Sequence, residues 1–337
     1  MKRIINALLV AVVLSLVPAT YARAQWKMRG DYSEGLAAVR DDNWRCGFID
    51  KTGELVIPCQ WMSARSFSEG LAAVTDDNDK CGYIDKTGKL VISCQWDMGW
   101  EFSEGLAPVK DSNGKWGYID KTGKLILPCQ WKNAWYFDDG WAVVRDASGK
   151  KGFIDKTGNV VIPCQWNDAS SFRDGLAEVE DAKGKSGFID KTGKVVIPCK
   201  WEMSWGFSEG IAPVKNAKGK WGFIDKTGKM LIPFKWNDAW RFHEGCAVVA
   251  DARDKYGFID KTGKVIIPCK WKSAYEFYEG LAAVQDASEK WGYIDKTGKL
   301  VVPYQWKDAS SFRDGMAEVK DADNKTYFID KTGKVVQ

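Results

Sequence analysis

The chain has 337 residues, a formal net charge of +4, eighteen tryptophans, nine cysteines and a single histidine. Near-neutral charge with Lys and Asp interleaved excludes the one-sided basic face of a nucleic-acid binder. One histidine leaves most triad and metal-hydrolase schemes short of a member.

In chain order, the first expected element is a targeting segment. Lys2 and Arg3 precede an apolar run from Ala7 to Val17, and Ala22-Arg23-Ala24 follows as a small-x-small site. That pattern predicts a secretory signal peptide over residues 1–24, cleaved before Gln25. The run is short for a bilayer span, and no second apolar stretch could cross one. Loss of the three cations Lys2, Arg3 and Arg23 takes the net charge from +4 to +1.

The remainder, residues 25–337, is one unit written nine times. Ile-Asp-Lys-Thr-Gly begins at Ile49, Ile84, Ile119, Ile154, Ile189, Ile224, Ile259, Ile294 and Ile329, always 35 residues apart. A tryptophan series from Trp26 to Trp306 and a glycine series from Gly35 to Gly315 keep the same step. In the third unit the apolar runs are Leu106 to Val109, Trp116 to Ile119 and Leu125 to Trp131. Each has the length of a strand and not of a helix. Asn113-Gly114 marks the first turn, and Asp120-Lys121-Thr122-Gly123 the second, with Asp capping it and Gly at positive φ. Each unit therefore reads as a three-stranded antiparallel meander. A connector of the form Trp-x-x-Ala-x-x-Phe-x-acid-Gly leads onward. Ala37 and Val39 are the same in all nine copies, whereas the Ala38 phase also holds Pro and Glu and is expected to reach solvent.

The run Trp116-Gly117-Tyr118-Ile119-Asp120-Lys121-Thr122-Gly123-Lys124, preceded by Phe102-Ser103-Glu104-Gly105-Leu106-Ala107-Pro108-Val109, closely resembles the bacterial WG repeat, or KWG repeat. The resemblance covers the expected mature chain and implies no particular activity. The Trp of Trp-Gly is present at Trp116, Trp221 and Trp291; the other copies have Cys46, Cys81, Lys151, Ser186, Tyr256 and Thr326. The last copy has Tyr327 in place of the glycine, as a terminal cap would.

The fold class expected is all-β, an open and gently coiled array of nine meanders. The alternative is a closed propeller-like ring, which nine blades of three strands would make unusual, since propellers have about four to eight blades of four strands.

Six cysteines from Cys59 to Cys269 share one phase with Phe234 and Tyr304, so that phase asks for an apolar filler and not a disulfide. Cys46 and Cys81, at a variable phase, are the better pair if any bridge forms. No Cys-x-x-Cys exists, so a zinc site fails on spacing. His243 falls at a phase shared with serines and reads as a surface residue. Asp76-Asp77-Asn78-Asp79 lacks the spacing of a calcium loop and reads as a solvated turn. The repeated aspartates are explained by their turns. No metal or cofactor is expected.

The candidate site lies where the copies disagree. Trp100, Trp135, Trp205 and Trp240 occupy a connector phase that elsewhere holds Arg65, Ser170, Tyr275 and Ser310. A phase tolerating Arg and Ser is partly exposed, so these tryptophans with Tyr275 could form a stripe that stacks on sugars or partner side chains. The competing reading folds each ring over a neighbouring unit. The chain is thus expected to be a secreted or periplasmic, monomeric, non-enzymatic binding or scaffold protein for a macromolecular partner, a protein or a cell-envelope glycan. A carbohydrate- or peptidoglycan-binding module is the first alternative, and a secreted hydrolase ranks last.

Overall fold

A computed structural model describes residue 26 and residues 28–336. The expected signal segment and its cleavage site lie outside the described residues. From Met28 onward the chain forms nine antiparallel sheets in sequence, one per repeat. The first contains β1 (Met28–Arg29), β2 (Leu36–Arg40), β3 (Cys46–Asp50) and β4 (Leu55–Trp61), hydrogen-bonded in that order. The next seven repeat it, and the ninth has three strands among the described residues.

The unit has four strands and not three, because residues of the connector form the short first strand. In blade 3, Met98–Gly99 pairs with Leu106–Lys110, Val109 opposite Gly99 and Lys110 opposite Met98. The turns behave as their sequences require. Asp120 Oδ1 accepts bonds from Thr122 N, Thr122 Oγ1 and Lys124 N, while Gly123 adopts φ +85°. Between the two strands that flank this turn, Trp116–Asp120 and Leu125–Trp131, the register slips at a bulge. There Gly117 is obligatory: a Cβ on it would stand 2.5 Å from Leu127 O and 2.8 Å from Cys129 N. Blade 9 has no seven-residue strand among the described residues, and Tyr327 is accommodated at this position.

Each sheet buries both faces against neighbours. Leu36, Phe48 and Ile57 of blade 1 pack on Phe67, Ala72, Val74 and Ile84 of blade 2. The Phe48 and Phe67 rings are 4.8 Å apart. A lone unit would leave these faces wet, so the fold is stable only as a stack. The Ala38 phase belongs to this packing, which corrects the expectation of solvent contact: Ala73, Pro108, Val143, Pro213, Val248 and Ala283 are buried, and Glu178 and Glu318 half-buried.

A polar clamp joins blade to blade at the connector turns. Glu34 accepts the Gly70 amide at 3.1 Å and the Lys86 ammonium at 3.0 Å, both from blade 2. The clamp recurs as Glu69–Lys121, Glu104–Lys156, Asp139–Lys191, Glu209–Lys261, Glu244–Lys296 and Glu279–Lys331. Its next member is Asp314, and the lysine it meets is Lys51 of blade 1, at 3.9 Å. Arg313 also reaches Asp31 at 3.6 Å, and the Arg29 guanidinium lies over the Phe328 ring. The nine sheets therefore close into a propeller-like ring, and the open array is overturned. Uniform 35-residue units rotate by a uniform angle, and here that rotation returns the ninth blade to the first.

Candidate functional site

The connector aromatics follow directly on the short strands, except Trp240, which lies within the longer strand Asp238–His243 of blade 7. In blade 3, Trp100 N donates to Pro108 O at 3.1 Å, and Trp100 O accepts the Tyr83 hydroxyl of blade 2 at 2.9 Å. Trp135 is held the same way, by Val143 O at 3.1 Å and the Tyr118 hydroxyl at 2.7 Å. Burial pushes the Tyr83 and Tyr118 hydroxyls far above their usual titration range, so both act only as neutral donors.

The structure pairs this phase with a second, sixteen residues later. Trp100 lies 6.3 Å from Trp116, Trp205 stacks on Trp221 at 6.1 Å and 6°, and Tyr275 stacks on Trp291 at 4.9 Å and 22°. In blade 4 the Lys151 ammonium sits 4.3 Å from the Trp135 ring centre and is paired with Asp168 at 2.5 Å. In blade 7, Trp240 Nε1 and the Tyr256 hydroxyl both donate to Asp238 Oδ2, at 3.2 and 3.1 Å. Burial, followed by the Asp238 charge, pushes the Tyr256 hydroxyl up to about 12. Where the first residue is small or non-aromatic, the second is small as well: Gly30 with Cys46, Arg65 with Cys81, Ser170 with Ser186, Ser310 with Thr326. Sequence reasoning singled out one phase and missed its partner. Comparing the copies pairwise would have revealed it, because the two positions change together.

The predicted residues are thus drawn into two arcs of the ring, blades 3–4 and blades 6–8, and not into one straight stripe. Trp100, Trp205 and Trp240 are exposed; Trp135 and Tyr275 are half-buried. Contacts between blades join them: Arg65 lies 4.1 Å over Trp100, and Trp240 is 6.4 Å from Tyr275. Exposed Tyr136, Met98 and Met203 extend the surface. Each stacked ring has one face on its own blade, so the reading in which the rings fold over a neighbouring unit describes only part of their environment.

The arcs are interrupted by polar gaps at blades 5 and 9. There Glu178 and Glu318 replace the small residues of the other copies. Burial pushes the Glu178 carboxyl above its ordinary range, against the influence of the nearby Ser204 and Ser186 hydroxyls and the attraction of Arg241. Glu276 is raised for the same reason, again opposed by Arg241. Arg241 of blade 7 therefore acts on carboxyls of blades 5 and 8 together.

The remaining candidates have structural roles. His243 is half-buried, not a free surface residue: Nδ1 meets Phe277 O at 2.5 Å, where other copies use a serine hydroxyl, as Ser208 does with Phe242 O at 2.7 Å. Asp76 caps its own turn through Asn78 N and Lys80 N, and Asp77 pairs with Arg45. All nine cysteines are free; Cys46 and Cys81 are buried in separate blades, so no bridge joins them. Among the described residues no cluster of three or more His, Cys, Asp or Glu is arranged to hold a metal ion, and no helix is long and apolar enough to cross a membrane.

The family model described as WG containing repeat matches eight times, at residues 47–81, 82–116, 116–147, 152–185, 187–221, 221–250, 256–287 and 291–325. The chain belongs to the WG repeat family. No curated protein matches this WG repeat chain in sequence. Among solved structures, the computationally designed Ika8 protein is similar at 13% identity, covering 78% of this chain and 94% of its own, with a TM-score of 0.46. BamB from Moraxella catarrhalis is similar at 11% identity, covering 79% of this WG repeat chain and 95% of its own, with a TM-score of 0.44.

Proposed function

We propose that this WG repeat protein acts by binding alone, holding a macromolecular partner outside the cytoplasm on the surface built by Trp100, Trp135, Trp205, Trp240 and Tyr275. One observation carries the reading. Each aromatic is engaged by its own blade and still reaches the surface, Trp100, Trp205 and Trp240 being exposed, with Trp205 at 49%. Large, rigid, amphipathic rings kept at a surface supply contact area at little entropic cost, and Trp, Tyr, Met and Arg are the residues enriched in the centres of interfaces.

A protein partner is the first reading, because exposed Met98 and Met203 stand two residues before Trp100 and Trp205. A cell-envelope glycan is the second, because a planar ring with one free face suits the face of a pyranose. The ring would do this as a monomer, with no cofactor and no reaction of its own. Co-sedimentation with cell-wall glycans and pull-down of envelope proteins should both be run. The wild type is compared with the quadruple variant Trp100→Ala, Trp135→Ala, Trp205→Ala and Trp240→Ala. Retention lost in the variant supports the surface; equal retention by both refutes it.

A further inference from the structure

We infer that the cleft between blades 2 and 3 is a binding site for a small neutral polyol, about the size of one sugar ring. It adjoins the tryptophan surface at Met98 and at Arg65, which lies over Trp100, and it does not depend on the reading proposed above.

The cleft exists because blade 2 departs from the aromatic pairing. Arg65 and Cys81 occupy the two coupled positions, and the cavity they leave measures about 240 Å3. That is below the roughly 300–1,000 Å3 of sites for drug-sized ligands, so it fits one ring and not a chain of them. Gly99 deepens the floor. A Cβ there would lie 2.5 Å from the Tyr83 hydroxyl and 2.7 Å from Cys81 Sγ; six other blades have alanine at this position, blade 6 has Ser204 and blade 1 has Arg29.

The walls are polar, with two ion pairs and one further carboxylate, Asp79, exposed at the edge. Arg65 is held at the rim, 3.8 Å from Glu101 and stacked over Trp100. Asp97 holds Lys80 at 2.6 Å, and the Ser63 and Thr75 hydroxyls bond to each other at 2.8 Å. An anion would have to displace Glu101 from Arg65 in front of Asp97 and Asp79. A cation inside the cleft would have to displace Lys80 from Asp97, leaving it otherwise only the exposed, water-screened Asp79. A neutral polyol breaks neither pair. Its hydroxyls can donate to the unused lone pairs of Asp97 and of exposed Asp79, and can accept from the unused N–H groups of Arg65 and from the Thr75 hydroxyl, whose proton is free because Ser63 donates to it.

The test is calorimetric titration of the full chain with glucose and N-acetylglucosamine, and with phosphate and ethanolamine as charged probes. A sugar should bind and the charged probes should not. The double variant Arg65→Trp with Cys81→Trp installs the pair that blade 3 already carries, and so fills the cleft with an arrangement the repeat tolerates. It should weaken the sugar by about tenfold or more with an unchanged melting temperature. If it fails to fold, Thr75→Val with Asp97→Asn removes wall contacts at nearly constant shape and should weaken binding in the same direction. Trp205→Ser with Trp221→Ser, the pair found in blade 5, should leave the sugar unaffected while weakening any macromolecular partner. No heat with either sugar, undiminished binding to the filled cleft, or binding of a charged probe alone would overturn the inference.

Discussion

Lys51 and Asp314 stand in the first and last blades, and their side chains lie 3.9 Å apart. This is the contact that Lys86 makes with Glu34 and Lys121 with Glu69, carried across the seam of the ring. Both seam partners are more than half exposed, so the pair reports closure and adds little to stability, on the order of 0–1 kcal/mol.

A carbodiimide, which joins carboxylates to amines already in contact, is expected to link Lys51 to Asp314 in the native protein. Mass spectrometry of the digest reads the product, with Lys86–Glu34 as the internal control. The control link without the seam link would mean an open chain of blades.

The clamps give the fold its acid limit. At Glu34, Glu209, Glu244 and Glu279, burial favours the neutral acid, but the lysine bond and the glycine amide outweigh it. Each carboxyl is left below its usual value of 4.5. A lowered folded-state pKa contributes stability that is present above the unfolded value and is lost as pH falls through the folded one. Melting temperature should therefore hold from neutral pH to about 5 and fall steeply below about 4. Glu244→Gln should cost about 1 kcal/mol at pH 7 and nothing measurable near pH 2. A constant difference across that range would remove the clamp from the explanation.

Glu178 runs the other way. Its carboxyl is raised, chiefly by burial, so its charge is a burden on the folded state at neutral pH. That burden disappears as pH falls through the raised value toward the ordinary one. Glu178→Gln should accordingly stabilise by about 1 kcal/mol at pH 7, with the gain fading on acidification. Urea denaturation at two pH values measures it, and a loss of stability at pH 7 would contradict the account.

Two glycines separate steric from conformational need. Gly117→Ala places a methyl against backbone atoms at 2.5 and 2.8 Å, and should cost about 3 kcal/mol or prevent folding. Gly105 has φ +86° with nothing within 4 Å of a Cβ, so Gly105→Ala should cost only the left-handed backbone, about 1–2 kcal/mol. Equal costs would mean that the bulge relaxes to admit a side chain.

What the sequence made legible was whatever a few adjacent residues decide. The turn at Asp120-Lys121-Thr122-Gly123 and the long strands around it follow from local bonding and from one glycine's freedom, and nine copies repeat the message. Local chemistry was silent on the second role of those residues. Lys121 looked like a turn residue, yet its ammonium reaches Glu69 of the preceding blade. Glu178 looked like a mark of exposure, yet its phase lies between blades. Trp100 is legible as a candidate contact, and its partner phase at Trp116 through the joint variation of the copies, while the tilted packing of the two rings and the cleft left by Arg65 and Cys81 depend on which residues meet across strands.

The sequence alone therefore determined the repeat, its strands, its turns and its family, because each depends on contacts within 35 residues. Only the tertiary structure decided that the stack closes, that a fourth short strand begins each blade, and where the aromatic arcs and the polar cleft fall. Closure depends on the small rotation between successive blades summed over all nine, a quantity set by packing between units. The arcs and the cleft depend on which side chains of neighbouring strands and blades come to lie against one another.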